Sequence, residues 1–334
     1  MRGMFLEGSD DPHIGLRQAM LVDAAMLGGS ITAVSGKADS FEQQALPTAR
    51  ELLSSLGLCL FQLDRPLSVE AFEAFARKIG QPVPETNPQV QSNVERGVLL
   101  HLRTSFPPTQ LVELQPFSAS FLSMHSESSG HAVADQPRYI ALQCLEPGEL
   151  ESAPRTVLAS MEAITKQLSA QTLDILCRTR YDGPSTSPPI LRRQREQWVL
   201  SFRDFHRHSL AWVHDGPATS DAVQSALREL LAAMYAGVDS SAVRWTRGLL
   251  LVIDNQRWLH GRTEGCFAPG RTGRLFVEAG DVFAKLERPQ ANSRTKPQND
   301  RRHCPAKWPR FAPRRARCAR TARTAPRSPP RART

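Results

Sequence analysis

The sequence has no CxxC pair and no close cysteine spacing: Cys59, Cys144, Cys177, Cys266, Cys304 and Cys318 are scattered over 334 residues. That excludes a zinc knuckle and a disulfide framework, and it points to reduced thiols in a cytoplasmic protein. No uninterrupted apolar run reaches the ~18 residues of a membrane span. The amino terminus lacks a basic region leading into an apolar core, so neither a span nor a signal peptide is expected. Internal repeats are absent too, which removes solenoid architectures. Acidic residues are almost missing from the end of the chain, where Arg288 to Thr334 holds fifteen Lys and Arg against Asp300 alone. That segment carries +14 of a total of +9, which leaves residues 1–287 at −5. The basic character therefore belongs to a tail of low-complexity Arg, Pro and Ala, expected to be disordered, and the body does not read as a nucleic-acid binder.

What is there reads as mainly β with inserted helices. Residues 1–40 give only short apolar patches and are expected to be a poorly defined entry segment. One domain is expected over 41–287, with the tail over 288–334. Phe41, Leu46, Ala49, Leu52, Leu53 and Leu56 have helical spacing closed by Gly57, and Ser68 caps a second helix whose stripe is Val69, Phe72, Phe75 and Ile79. A third amphipathic helix runs over 220–234 from a Ser220 cap. Strands are expected at 58–63, 98–103, 111–115, 139–145, 198–202, 249–253 and 274–277, residues 155–160 lead into a helix containing 161–168, and a loop is expected over 82–96 near a pocket mouth. Strands pairing over long separations around inserted helices favour a distorted double-stranded β-helix, a jelly roll, over alternating βαβ units.

The chemistry gathers at two places. His125 and Glu127, in Phe121-Leu-Ser-Met-His-Ser-Glu127, are separated by one residue, so in extended backbone both point the same way and can grip one ion. A His-x-Glu triplet alone is weak evidence. The apolar run from Leu249 leads to Asp254-Asn-Gln-Arg-Trp-Leu-His-Gly-Arg262 and delivers His260 as a third donor. Two imidazoles and a carboxylate on one face leave the opposite face of an Fe(II) ion open.

Residues 251–262 closely resemble the distal segment of Fe(II)/2-oxoglutarate oxygenases of the clavaminate synthase-like group. That group includes asparagine and arginine β-hydroxylases within the taurine dioxygenase superfamily. The resemblance spans about residues 45–285, and it implies a jelly roll with the metal at one open end. By the same resemblance, Fe(II) sits on His125, Glu127 and His260, and 2-oxoglutarate and O2 are the cosubstrates. Arg274, fourteen residues past His260, stands where relatives hold the far carboxylate of 2-oxoglutarate, and Thr156 where a threonine hydrogen-bonds it. A buried dicarboxylate favours a bidentate guanidinium, which lysine cannot imitate. The implied function is hydroxylation of an unactivated C–H bond of an amino acid or amino-acid-derived small molecule in specialised metabolism. The same chemistry on a carrier-protein-tethered aminoacyl group, or a desaturation or cyclisation outcome, is the alternative.

Substrate recognition departs from the relatives. Those acting on free amino acids carry a second arginine four residues after the first, and here that position is Glu278. Three explanations stand open: Arg271 or Arg262 takes over, the carboxyl is masked in a thioester or amide, or the substrate is a different, cationic molecule. Asp215 aligns with an acidic position that touches the substrate side chain in relatives, and Glu127 could also orient a substrate amine. Outside enzymology, a metal-free binding module or a basic-tailed nucleic-acid binder would use the same sequence features. The expected partner is a small molecule, free or carrier-bound, with no nucleic acid and no membrane.

Overall fold

Leu249–Asp254 is apolar at nearly every position because both its faces are covered. Leu250 and Val252 point to one side, and Leu249, Leu251 and Ile253 to the other. The computed structural model that shows this describes residues 1–279 except 26, 28–30, 104–108, 110, 149–152, 207 and 266–270. The chain divides after Pro289. The tail expected at 288–334, the expected boundary at 287, and Cys266, Cys304 and Cys318 lie outside the described residues.

Leu249–Asp254 is central in an eight-stranded sheet. Its order is Val34–Gly36, Leu58–Leu63, Leu249–Asp254, Tyr139–Glu146, Arg271–Ala279, Leu99–Arg103 and Val94–Glu95, with Gly80–Pro82 beside Arg271–Ala279. Val34–Gly36 runs parallel to its neighbour, and the other pairings are antiparallel. A second, four-stranded antiparallel sheet has the order Ser240–Val243, Thr156–Ser160, Trp258–Arg262, Leu122–His125.

Three apolar clusters set the layers. On the outer face of the larger sheet, Phe61, Leu250, Val252 and Leu275 meet Phe41, Leu53, Phe72, Phe75 and Ile79 of the helices Phe41–Ser55 and Val69–Ile79. Each buried Phe or Ile of that stripe contributes about 1.5–3 kcal/mol, so losing the stripe would strip the sheet of its cover. Between the sheets, Ile140, Leu142, Leu251 and Ile253 meet Leu158, Val243 and Trp245. On the outer face of the smaller sheet, Met124, Val157, Ala159 and Leu259 pack with Leu227, Leu230 and Leu231 of the helix Ser220–Tyr235. The result is mainly β, with helices outside and an interior between the sheets.

Local chemistry explains the helix ends. Ser68 accepts from the Ala71 amide at 3.2 Å, and Gly57 takes φ +68° after the first long helix. The Ser220 helix is capped instead by Thr219, which accepts from Ala222 N at 3.3 Å. The expected strand at 111–115 is a 3-10 turn, Val112–Phe117. Pro116 has no N–H to offer a ladder, and the carbonyls there are collected by Arg262, which donates to Pro116 O at 2.6 Å, Gln115 O at 3.2 Å, Ser120 O at 2.9 Å and Ser118 O.

Residues 1–40 form more structure than their sequence suggests. Arg2–Phe5 pairs with Leu210–His214, and the helix Pro12–Arg17 delivers Arg17 to the interior. Arg17, 2 % exposed, donates to both oxygens of Asp204 at 2.6 and 2.9 Å and also reaches Glu7. The Tyr235 hydroxyl donates to Asp204 Oδ2 at 2.6 Å. A buried guanidinium left unpaired would cost several kcal/mol, so these partners bind the amino-terminal segment to the stretch after Phe202. No described helix is long and apolar enough to cross a membrane.

Candidate functional site

Strand alternation brings the predicted donors to the interior between the sheets. His125 ends Leu122–His125 and lies directly opposite His260 on Trp258–Arg262, and directly opposed residues share a face. Their ring centroids are 4.2 Å apart. The apolar run is expected to carry His260 at its end, and it does not. The chain leaves Leu249–Asp254, turns at 255–257 and enters the other sheet, where His260 is mid-strand.

Glu127 needs a different account from the extended-backbone one. It lies beyond the strand in a turn in which Ser128 takes φ +55°. Asn255 clamps that turn from both sides: its Oδ1 accepts from Glu127 N at 2.8 Å, and its Nδ2 donates to Glu127 O at 3.1 Å and Pro137 O at 3.0 Å. Glu127 Oε2 then stands 3.8 Å from His125 Nε2 and 3.7 Å from His260 Nε2.

The three groups offer one ligand atom each, all within 4.8 Å of one another. Ligand atoms about 2.1 Å from a common ion at right angles lie ~3 Å apart, so a divalent cation fits with a small inward movement. His125 Nδ1 donates to Ser123 O at 2.8 Å, which fixes the tautomer and turns the Nε2 lone pair toward the site. His260 Nδ1 is buried with no hydrogen-bond partner among the described residues, so no hydrogen bond at that nitrogen holds the ring.

Electrostatics prepares the same donors. Burial, with the His125 and Arg274 charges adding to it, holds His260 well below the usual imidazole range. Burial would raise Glu127, but the nearby His125, Arg274 and His260 outweigh that and hold the carboxyl well below the usual range. A neutral imidazole and an ionised carboxylate are the forms that bind a metal.

Arg274 faces the same interior because Leu275 and Val277 point outward. Its guanidinium lies over the Phe276 ring at 4.3 Å, with Nη2 3.8 Å from Glu85 Oε2 and Nη1 3.9 Å from Glu127 Oε2. Thr156 lies opposite Arg262 across the strand pair, and its hydroxyl accepts from Trp245 Nε1 at 3.0 Å. With that donor in place, the hydroxyl proton is free to point at an anion. His125, Glu127, His260, Thr156 and Arg274 line one cavity with Leu102, Ile140, Leu142 and Trp245.

Two predicted substrate residues do not join them. Asp215 is an exposed surface residue 3.6 Å from Arg180 Nε, at the end of a strand in a different, three-stranded sheet, and it does not line the cavity. Glu278 shares the Arg274 face by alternation but lies near the exposed end of its strand, beside Gln81 and outside the cavity lining. Arg262 lines the cavity, yet its guanidinium is committed to the backbone carbonyls of 115–120. The Arg271 side chain lies outside the described residues.

Sequence reasoning passed over Glu85 and Asn255. Asn255 follows an apolar strand at a sharp change of sheet, and that position is the one sequence signal it offered. Asn255→Ala is expected to weaken Fe(II) affinity about 10–100-fold, as loss of an outer-sphere clamp does, with little loss of folded structure. Anaerobic Fe(II) titration alongside a melting curve checks this.

A family model described as taurine catabolism dioxygenase TauD, TfdA family, matches residues 27–278. No curated protein matches the sequence. Among solved structures, asparagine oxygenase in complex with Fe(II), 2S,3S-3-hydroxyasparagine and succinate is 20% identical over 75% of this chain and 83% of its own, with a TM-score of 0.53. The non-heme iron oxygenase OrfP in complex with Fe and alpha-ketoglutaric acid is 17% identical over 75% and 84%, with a TM-score of 0.54. A taurine dioxygenase from Burkholderia xenovorans is 13% identical over 74% and 87%, with a TM-score of 0.53. At these identities the likeness to solved structures is one of fold.

Proposed function

Since the chain belongs to the TauD/TfdA dioxygenase family and is an Fe(II)- and 2-oxoglutarate-dependent dioxygenase, we propose that it hydroxylates an unactivated C–H bond of an amino acid or an amino-acid-derived small molecule. The observation that carries this reading is the convergence of His125, Glu127 and His260 in one cavity with Arg274 and Thr156. We also infer that the two facing sheets are the halves of a distorted double-stranded β-helix, a reading supported by the fold-level likeness to the oxygenases named above.

In this reading His125, Glu127 and His260 hold the iron. When bound, the metal with 2-oxoglutarate and O2 supplies the oxidation: the cosubstrate loses CO2 to become succinate with one oxygen atom, and the other oxygen enters the C–H bond. The protein's share is binding and exclusion. Arg274, held flat by Phe276, receives the distal carboxylate of 2-oxoglutarate, and the Thr156 hydroxyl donates a second hydrogen bond to it. Leu102, Ile140, Leu142 and Trp245 keep water from that carboxylate and strengthen both contacts. Ser123 and Asn255 keep the donors in place.

The test is succinate formation by the Fe(II)-loaded enzyme against a panel of free amino acids, with His125→Ala as control. Substrate-stimulated succinate, absent in the control, together with a product heavier by one oxygen, is expected. Stimulation without an oxygenated product would turn the reading toward desaturation or cyclisation.

A further inference from the structure

Among the described side chains, the positions first considered for an anion-binding arginine leave the substrate side of the site without one. Glu278 is outside the cavity and Arg262 is spent on backbone carbonyls. One other guanidinium lies beside the metal donors. Arg203 forms an isolated antiparallel bridge with His125, so both side chains rise from the same face. The bridge is held firmly: Ser126 N donates to Phe202 O at 2.9 Å, Asp204 N to Met124 O at 3.1 Å, and Arg203 N to the Tyr181 hydroxyl at 2.9 Å. Behind it, Asp204 is locked by Arg17 and Tyr235.

Arg203 is half-buried, and among the described residues it forms no ion pair. Its one side-chain hydrogen bond among the described residues is to the Gln115 side-chain oxygen. The carboxylates whose charge acts on Arg203 are Glu127 first, then Asp204 and Glu113. Once Glu127 serves a metal, what remains to Arg203 is Asp204, already held by Arg17 and Tyr235, and the charge of Glu113. Its guanidinium opens on a recess shared with Gln115, Ser120, Phe121 and Ser123. Ser123 lies two residues before His125 and so on the same strand face, which sets this recess beside the metal donors. The walls also carry Asp204 and Glu264, the first already held by Arg17 and Tyr235, beside hydroxyls, an amide, His206, His208 and the Phe121 and Phe205 rings, and a guanidinium with one hydrogen bond among the described residues is matched by a carboxylate.

We propose that Arg203 receives the free carboxylate of the primary substrate, so that this enzyme takes a free amino acid and not a carrier-tethered or amidated one. The proposal rests on the dioxygenase reading above and deepens it. It moves the anion-binding role from the strand of Arg274 to the segment opposite His125, where Glu278 has no part.

The experiment pairs free L-amino acids with their carboxamides. Anaerobic enzyme loaded with Fe(II) and 2-oxoglutarate is titrated with each, following its visible charge-transfer band, and succinate formation is then measured in air. In the wild type a free acid is expected to perturb the band and stimulate succinate, with its amide at least 10-fold weaker. Arg203→Gln is expected to raise the KM for that acid at least 30-fold and to narrow the acid-to-amide preference, while Arg203→Lys recovers part of it. Both variants should bind 2-oxoglutarate as the wild type does, which shows that they are folded and separates this role from that of Arg274. Equal use of acid and amide, stimulation by no free acid, or an unchanged acid preference in Arg203→Gln overturns the proposal. Failure of the wild type to bind 2-oxoglutarate would instead overturn the dioxygenase reading beneath it.

Discussion

Replacing His260 with alanine is expected to abolish substrate-stimulated succinate formation, by well over the ~100-fold that loss of an outer-sphere contact costs. The reason lies in the number of donors. Among the described residues, three atoms, 3.7 and 3.8 Å from one another along the two contacts of Glu127, are the donors proposed for the metal. Removing one leaves His125 and Glu127, a pair that could meet in any loop and that does not fix an open coordination face. His260 also has no second tether, because its Nδ1 is buried and unpartnered, so truncation should not break a structural hydrogen bond. The variant should therefore fold. The check is thermal unfolding with and without Fe(II): an ion at 100 times its dissociation constant stabilises by about 2.7 kcal/mol in the wild type. His260→Ala should lose most of that increment while melting close to the metal-free wild type. An unchanged increment would remove His260 from the metal site.

The second large effect is expected at Arg274. Its guanidinium is 13 % exposed and its nearest carboxylates, Glu85 and Glu127, are 3.8 and 3.9 Å away, beyond hydrogen-bond length. Its N–H donors are thus available to an incoming dicarboxylate, and the Phe276 ring fixes the plane in which they lie. Truncating one side of a buried charge pair costs about 2–5 kcal/mol, which is roughly 30- to several-thousand-fold in affinity. Arg274→Ala should raise the KM for 2-oxoglutarate by an amount in that range. Arg274→Lys should be nearly as poor, because an ammonium keeps the charge but loses the bidentate fork and the stacking. Titration with 2-oxoglutarate under anaerobic conditions measures the binding directly. Lysine binding 2-oxoglutarate as well as arginine would reduce the site to a simple positive patch.

Particular residues show how far the sequence could be read. His125, His260, Thr156 and Arg274 were legible because each lies on a strand, where period-two alternation and a nearby apolar run decide which way a side chain points. Glu127 was placed correctly in space for an incomplete reason: the strand stops at His125, and Asn255, from a segment 128 residues later, holds the turn that brings the carboxylate back. Asp215 and Glu278 stand outside the cavity lining. Glu278 is placed by its spacing from Arg274 and Asp215 by the resemblance, and neither says where a strand ends and solvent begins. The amino-terminal segment was unreadable because its anchor, Arg17, finds Asp204 187 residues away.

By itself the sequence determined the donor types, the strands that carry most of them and the apolar faces that cover those strands, because these follow from residue chemistry and from a period of two. Only the tertiary structure decided which turn holds Glu127, that Arg262 is consumed by backbone carbonyls, and that Arg203 stands beside His125 with no ion pair among the described residues. Those outcomes depend on hydrogen bonds between segments far apart in the chain, and no local pattern encodes which distant group will arrive.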